Sequence, residues 1–128
     1  METITIKLKY CQIVYFGEYL SKTLFASFGA LDENSYLTFY NCRTALKKIS
    51  DKIFRYNSKV SGKKMVSIAF DLNEAAGLRF LVGLCADDLF KEGAAYETAI
   101  SIDFITQYEA QKEQHINKRF AVMTAERG

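Results

Sequence analysis

The sequence predicts a mostly helical α+β domain with two short strands and four helices in the order β-α-α-β-α-α. Two segments of about eight residues alternate apolar and polar side chains, as half-buried strands do. Longer segments between and after them repeat their apolar residues at helical spacing. The 128-residue chain has no proline and no linker-like stretch, so residues 1–128 are expected to form one domain.

Each half of the predicted fold begins with a strand, at residues 3–10 and again at residues 65–72. A shift of 62 residues superposes the two strands and places Gln12 on Glu74, as an internal repeat would. Identity under this shift is poor, so a chance match of two strand–helix patterns is the alternative. Two strands make a marginal sheet in water. Pairing an exposed edge across a two-fold axis would give four strands in a dimer.

The helices are predicted at residues 12–28 and 35–57, from a capping signal at residues 71–74 to residue 92, and at residues 95–120. Gly29 and Gly93 are expected to end two of these helices. Residues 32–35 form a polar turn that offers N-caps to the second helix, and residues 57–64 read as an exposed loop.

Two helix predictions have alternatives. Asp71 precedes Glu74 by three residues, the spacing of a capping box, with Asn73 as the rival cap. Residues 97–105 alternate as a strand would, yet no breaker separates them from the helical pattern that follows. Helix is therefore the prediction for the whole last segment.

The three cysteines indicate a reduced, cytoplasmic protein. Cys11, Cys42 and Cys85 are far apart, odd in number and set in apolar segments, which favours buried free thiols over a disulfide framework. The first residues alternate polar and apolar side chains, unlike a signal peptide. No run approaches the roughly 18 apolar residues of a membrane span, so no membrane partner is expected.

Catalytic and metal-binding patterns are missing from the sequence. His115 is the only histidine, and there is no Cys-x-x-Cys, glycine-rich phosphate loop or nucleophile elbow. Asp87 and Asp88 are adjacent on a helix and therefore point to different faces. We expect a protein that is not an enzyme and has no cofactor and no metal.

Positive charge is concentrated in one segment. Residues 43–64 hold eight basic residues and one acidic residue, a net charge of +7, whereas the rest of the chain carries −5. The predicted anion-binding or nucleic-acid-binding residues are Lys48, Lys52, Arg55, Lys59, Lys63 and Lys64. The first four form a narrow helical stripe, interpreted as lying opposite the apolar stripe of the same helix, and the last two extend it into the loop. Phe54 and Tyr56 stand near its end, where they could stack on a base.

Self-association is predicted from helices with apolar residues on two sides. The predicted oligomer-interface residues are Tyr15, Tyr19, Phe25, Phe80 and Leu84. A second helix of the same chain is the alternative cover for these side chains.

The sequence therefore favours a non-enzymatic binding or interaction module, a homodimer or higher oligomer, whose basic helical face contacts an acidic partner. Phosphate of a nucleic acid is the partner expected first, because an extended stripe suits a polymer. The alternatives are a small-nucleotide or ligand-sequestering protein of viral or mobile-element type and a protein–protein adaptor with no anion site. In the adaptor the lysines are an ordinary solvated face.

Overall fold

The computed structural model describes the backbone of residues 2–27, 33–56, 60–92 and 94–127, and the side chains of these residues except 27, 33–34, 86–92 and 125–127. The elements are β1 (Thr3–Lys9), α1 (Tyr10–Ser27), α2 (Glu33–Tyr56), β2 (Met65–Asp71), α3 (Leu72–Glu92) and α4 (Ala95–Arg127). The predicted mostly helical α+β fold in β-α-α-β-α-α order is confirmed. Residues 97–105 belong to α4 and are helical.

Three helices extend beyond their predicted bounds. α1 begins at Tyr10 rather than residue 12. α2 begins at Glu33 rather than residue 35, and α4 continues to Arg127 rather than ending near residue 120. No glycine or proline stands between residues 120 and 127, so the sequence has no breaker there. The predicted stops at Gly29 and Gly93, and residues 57–59 of the predicted loop, lie outside the described residues.

The capping box predicted at the start of α3 is present. The backbone N–H of Glu74 donates to Asp71 Oδ1 at 2.8 Å, and the N–H of Asp71 donates to Glu74 Oε1 at 2.9 Å. The second bond occupies the last N–H of β2, so the helix begins at Leu72, which the alternation had placed in the strand.

The second half of the chain repeats the first at a fixed spacing. Each element of the second half starts 62 residues after its counterpart: Thr3 and Met65, Tyr10 and Leu72, Glu33 and Ala95. β1 and β2 are antiparallel and place Ile6 opposite Ile68, which are equivalent positions of the two repeats. The Gln12 Oε1 atom accepts the Lys9 N–H at 2.9 Å, as Glu74 does for Asp71. A local pseudo-two-fold axis therefore passes between Ile6 and Ile68.

One face of the sheet forms the core with the helices. Fully buried residues include Ile4, Ile6, Leu8, Val66, Ile68 and Phe70 from the strands and Ile13, Phe16, Leu20, Cys42, Ile49, Leu78, Leu81, Ile100 and Phe104 from the helices. The opposite face is uncovered, because Lys7, Lys9, Met65, Ser67 and Ala69 are exposed. The sheet is thus covered by helices on one side only.

α2 and α3 approach each other closely at Gly77. A Cβ atom built on Gly77 would lie 3.0 Å from the backbone nitrogen of Cys42 and 3.1 Å from the carbonyl carbon of Asn41. The Cys42 thiol also donates to the Gly77 carbonyl oxygen at 3.2 Å. Since the crowded atoms include backbone, a side chain at residue 77 would push the two helices apart.

Gly77→Ala is therefore expected to lower the free energy of unfolding by about 1–2 kcal/mol, because overpacking outweighs the gain in helix propensity. Gly83→Ala is the matched control on the same helix, since among the described residues its new methyl group would meet only the Arg79 Nη1 atom, at 3.5 Å. The control is expected to raise stability by up to about 1 kcal/mol. Urea unfolding followed by circular dichroism measures both variants, and equal stabilities would contradict the close approach.

Candidate functional site

The structure divides the predicted basic residues by their surroundings. Lys48 and Lys52 are half-buried, Arg55, Lys63 and Lys64 are exposed, and Lys59 lies outside the described residues. The Lys48 Nζ atom is 2.6 Å from Oε1 of Glu74, whose side chain is only 3% exposed. The same nitrogen lies 3.5 Å from the Ala69 carbonyl oxygen. This stripe therefore lies on the side of α2 that faces β2, and Lys48 is ion-paired within the chain.

α2 runs antiparallel to β2. Lys48 lies beside Ala69 near the end of β2, whereas Tyr56, at the end of α2, lies beside Lys64 just before β2 begins. The Lys64 Nζ atom is 5.0 Å above the centroid of the Tyr56 ring, a cation–π contact. The Tyr10 ring meets the Tyr56 ring edge-on with centroids 6.4 Å apart. Tyr56 is thus packed within the chain, whereas Phe54 is 85% exposed.

The most exposed side of α2 carries a different set of residues, which the sequence reading missed. Tyr40 is 56% exposed, and Arg43 and Lys47 follow it on the same side of the helix. With Phe25 of α1, which is 78% exposed, they line an open groove of about 540 Å³ between α1 and α2. We call Phe25, Tyr40, Arg43 and Lys47 the aromatic–basic groove. For Tyr40, Arg43 and Lys47, the available signal was their position on the helical wheel of α2, opposite the buried residues Cys42, Ala45 and Ile49.

The cations of α2 outside Lys48 are not neutralised by neighbours. In the described part of the chain, Arg43, Lys47, Lys52 and Arg55 have no carboxylate within ion-pair distance. Asp51 is the one acidic residue between residues 43 and 64, and it is exposed. Four like charges without partners on one helix are a site of positive potential.

The residues predicted to form an oligomer interface fall into two groups. Tyr15 packs edge-on against Tyr96 with ring centroids 5.1 Å apart, and the Tyr19 hydroxyl forms a 2.9 Å hydrogen bond with Ser101 Oγ. Both contacts are with α4, the same-chain cover that the sequence left as an alternative, but Tyr15 remains 48% exposed. Burial raises the pKa of Tyr19 above its ordinary value, with the Ser101 bond opposing it. The remaining predicted residues are Phe25, Phe80 and Leu84, which are 78%, 47% and 39% exposed.

The thiols and the histidine have structural partners. Cys42 and Cys85 are buried and Cys11 is half-buried, and none of the three forms a disulfide bond. Burial raises the pKa of the Cys42 thiol to about 11. The Cys85 Sγ atom lies 2.9 Å from Thr23 Oγ1, and the His115 Nε2 atom lies 2.8 Å from the Thr3 carbonyl oxygen. Because burial keeps the Cys42 thiol protonated, Cys42 is a poor nucleophile.

Glutamines of α4 close the outer edge of β1. The Gln111 side chain accepts the Thr5 N–H and donates to the Thr5 carbonyl, both at 2.7 Å. Gln107 does the same for Lys7, at 2.7 and 2.8 Å. Residues four apart on a helix are separated by about 6 Å along its axis, and residues two apart on a strand by about 6.6 Å. Because these spacings are similar, glutamines four residues apart on α4 can hydrogen-bond to alternate residues of β1. We call Gln107 and Gln111 the glutamine ladder. It makes the hydrogen bonds to the outer edge of β1 that a third strand would otherwise make.

The outer edge of β2 has no such ladder. Gln107 and Gln111 correspond, 62 residues earlier, to Ala45 and Ile49, which are buried in the core and cannot form these bonds. Among the described residues, Lys48 is the one whose side chain donates a hydrogen bond to this edge, at the Ala69 carbonyl oxygen. We call the backbone of Met65, Ser67 and Ala69 the open edge.

No group of three or more His, Cys, Asp or Glu residues in the described part of the chain is arranged to hold a metal ion. Within the same residues no helix is both long and apolar enough to cross a membrane. The chain matches no protein-family model, no curated protein and no solved structure.

Proposed function

We propose that the protein is a non-enzymatic binding module that holds single-stranded nucleic acid in the aromatic–basic groove. The observation that supports this is that two cations without ion-pair partners among the described residues, Arg43 and Lys47, line the same groove as the exposed rings of Phe25 and Tyr40. Proteins that bind single strands combine a positive groove for the phosphates with aromatic rings on which bases stack.

The shape of the surface also favours a single strand over a duplex. The groove is open along α2, and the exposed Phe54 ring lies further along the same helix. Stacking needs unpaired bases, whose faces a duplex does not present to a side chain.

Binding of fluorescently labelled oligothymidine and of the corresponding oligouridine, measured by anisotropy at several salt concentrations, tests the proposal. Affinity is expected to fall steeply with salt because phosphate contacts release counterions. Arg43→Gln with Lys47→Gln should reduce the slope of log K against log salt by about 1.4, two contacts at roughly 0.7 each. Tyr40→Ala should weaken binding by about tenfold and leave the slope unchanged, since stacking involves no counterion.

Lys112→Gln with Lys118→Gln is the matched control, because it removes the same charge from α4 and should leave binding nearly unchanged. Failure of the wild-type protein to bind either oligonucleotide at low salt would refute the proposal. Equal losses from the two double variants would show attraction by net charge alone and would also contradict a site in the groove.

A further inference from the structure

The open edge offers hydrogen-bond donors that nothing within the described chain accepts. The pairing of Ile6 with Ile68 and the Tyr10 N–H bond to the Lys64 carbonyl show that even-numbered residues of β2 bond to β1. The N–H groups of Ser67 and Ala69 therefore point away from β1, and no described residue accepts a hydrogen bond from either. Unpaired N–H groups in a row are a template for another strand.

The side chains beside this edge are lysines, which differ from glutamine in the hydrogen bonds that they can form. Glutamine has both a donor and an acceptor, so the glutamine ladder satisfies both the N–H and the carbonyl groups of β1. An ammonium group only donates, so Lys48 can approach the Ala69 carbonyl but cannot serve the N–H of Ala69 or Ser67. An occupant of this edge must supply acceptors.

The occupant of the open edge must also carry negative charge, because the side chains around this edge are cationic. Because α2 runs antiparallel to β2, Lys52 lies one helical turn beyond Lys48 and comes level with Ser67. Arg55 follows near the start of β2, and Lys63 is exposed two residues before the strand begins. Of these charges, Lys48 is the one that forms an ion pair with another described residue, Glu74.

A second copy of the chain fits this edge poorly. Pairing two β2 strands across a two-fold axis would bring Lys52 and Arg55 of both copies to the same seam, where like charges repel. An acidic peptide in extended conformation has carbonyl acceptors for the backbone and carboxylates for the cations. It satisfies both requirements at once.

We propose that the open edge of β2 binds an extended acidic peptide segment as an added strand, with its carboxylates paired to Lys52, Arg55 and Lys63. This surface is separate from the aromatic–basic groove and stands whether or not the groove binds nucleic acid. The complex would extend the sheet to three strands on the β2 side.

Amide hydrogen exchange of the free protein tests the premise. The Thr5 and Lys7 amides, bonded to the glutamine ladder, are expected to exchange slowly, and the Ser67 and Ala69 amides quickly. Protection of the β2 amides that grows with protein concentration would show a second copy on the edge and overturn the proposal. Equal protection of all four amides in dilute protein would show a closed edge and also overturn it.

The binding probe is a labelled synthetic peptide that alternates glutamate with valine. It is expected to bind and to protect the Ser67 and Ala69 amides, whereas the same peptide N-methylated on alternate residues should bind much more weakly, because its backbone cannot pair. Lys52→Gln with Arg55→Gln should weaken binding about tenfold. Lys112→Gln with Lys118→Gln should not weaken it.

Ser67→Pro removes one outward N–H without breaking a bond to β1, so it should abolish binding in a protein that still folds, as circular dichroism will show. Equal binding of the methylated and unmethylated peptides would reduce the interaction to charge attraction and refute strand addition. Competition by oligothymidine that also protects the two amides would place nucleic acid on the edge and refute the peptide.

Discussion

Replacing both Gln107 and Gln111 by alanine is expected to lower the free energy of unfolding by about 3 kcal/mol. The variant loses four hydrogen bonds of 2.7–2.8 Å to the backbone of Thr5 and Lys7. Each intramolecular bond of this kind contributes about 1 kcal/mol net. The full sum is reduced because the Lys7 groups are exposed and can bond to water instead. Thermal unfolding should show a midpoint about 10 °C lower.

Gln114→Ala is the control, because Gln114 is an exposed glutamine of the same helix that forms no hydrogen bond with the described residues. It should leave stability within about 0.5 kcal/mol of the wild type. The double variant should also expose the edge of β1, so the Thr5 and Lys7 amides should exchange faster by hydrogen–deuterium measurement. A double variant as stable as Gln114→Ala, with unchanged exchange, would show that α4 holds β1 by packing alone.

The period of the apolar residues was sufficient to predict the fold. Strand alternation and helical spacing located all six elements, and the 62-residue shift already paired Gln12 with Glu74, whose side chains cap equivalent helices. The errors lie at the boundaries between strands and helices, where hydrogen bonds with side chains determine the residue at which a helix begins. Tyr10 and Leu72 continue the alternation but start helices, because Gln12 and Glu74 take the last N–H groups of the strands.

The glutamine ladder could not be predicted from spacing. The sequence places Gln111 and His115 on the apolar face of α4, but not beside a strand edge a hundred residues away in the chain. Such a contact depends on how α4 is rotated about its axis. The rotation differs between the two repeats: Gln107 faces β1, while its counterpart Ala45 is buried in the core.

The surroundings of the predicted basic stripe could not be predicted from residue spacing either. The stripe was predicted to lie opposite the apolar stripe of α2, which is wrong: Lys48 and Lys52 are half-buried, and Lys48 contacts β2. The direction in which that side of the helix faces depends on tertiary packing. Lys48 proved to be the partner of a buried carboxylate, whereas Arg43 and Lys47, which the stripe did not include, are exposed. Counting charges identified the basic segment, but the contacts of each individual cation depend on the tertiary structure.

Glu74→Ala is expected to lower the free energy of unfolding by about 3 kcal/mol. Glu74 is 3% exposed and has two roles: it accepts the Asp71 N–H at the start of α3, and it pairs with Lys48 at 2.6 Å. Loss of a helix cap costs about 1 kcal/mol. Breaking a buried pair costs 3–5 kcal/mol, which must be discounted because the Lys48 side chain is 43% exposed and can regain water.

Two further variants separate the roles of Glu74. Glu74→Gln keeps an acceptor for the Asp71 N–H but loses the charge, so it should be clearly less harmful than alanine in urea unfolding. Glu18→Ala breaks the exposed pair with Lys22, 3.6 Å apart, and should cost less than about 0.5 kcal/mol. If the Glu74 and Glu18 variants were equally stable, the buried pair would add nothing beyond a surface one. A large loss for Glu74→Ala and a small one for Glu74→Gln would place most of the stabilisation in the cap, and similar losses for both would place it in the Lys48 charge.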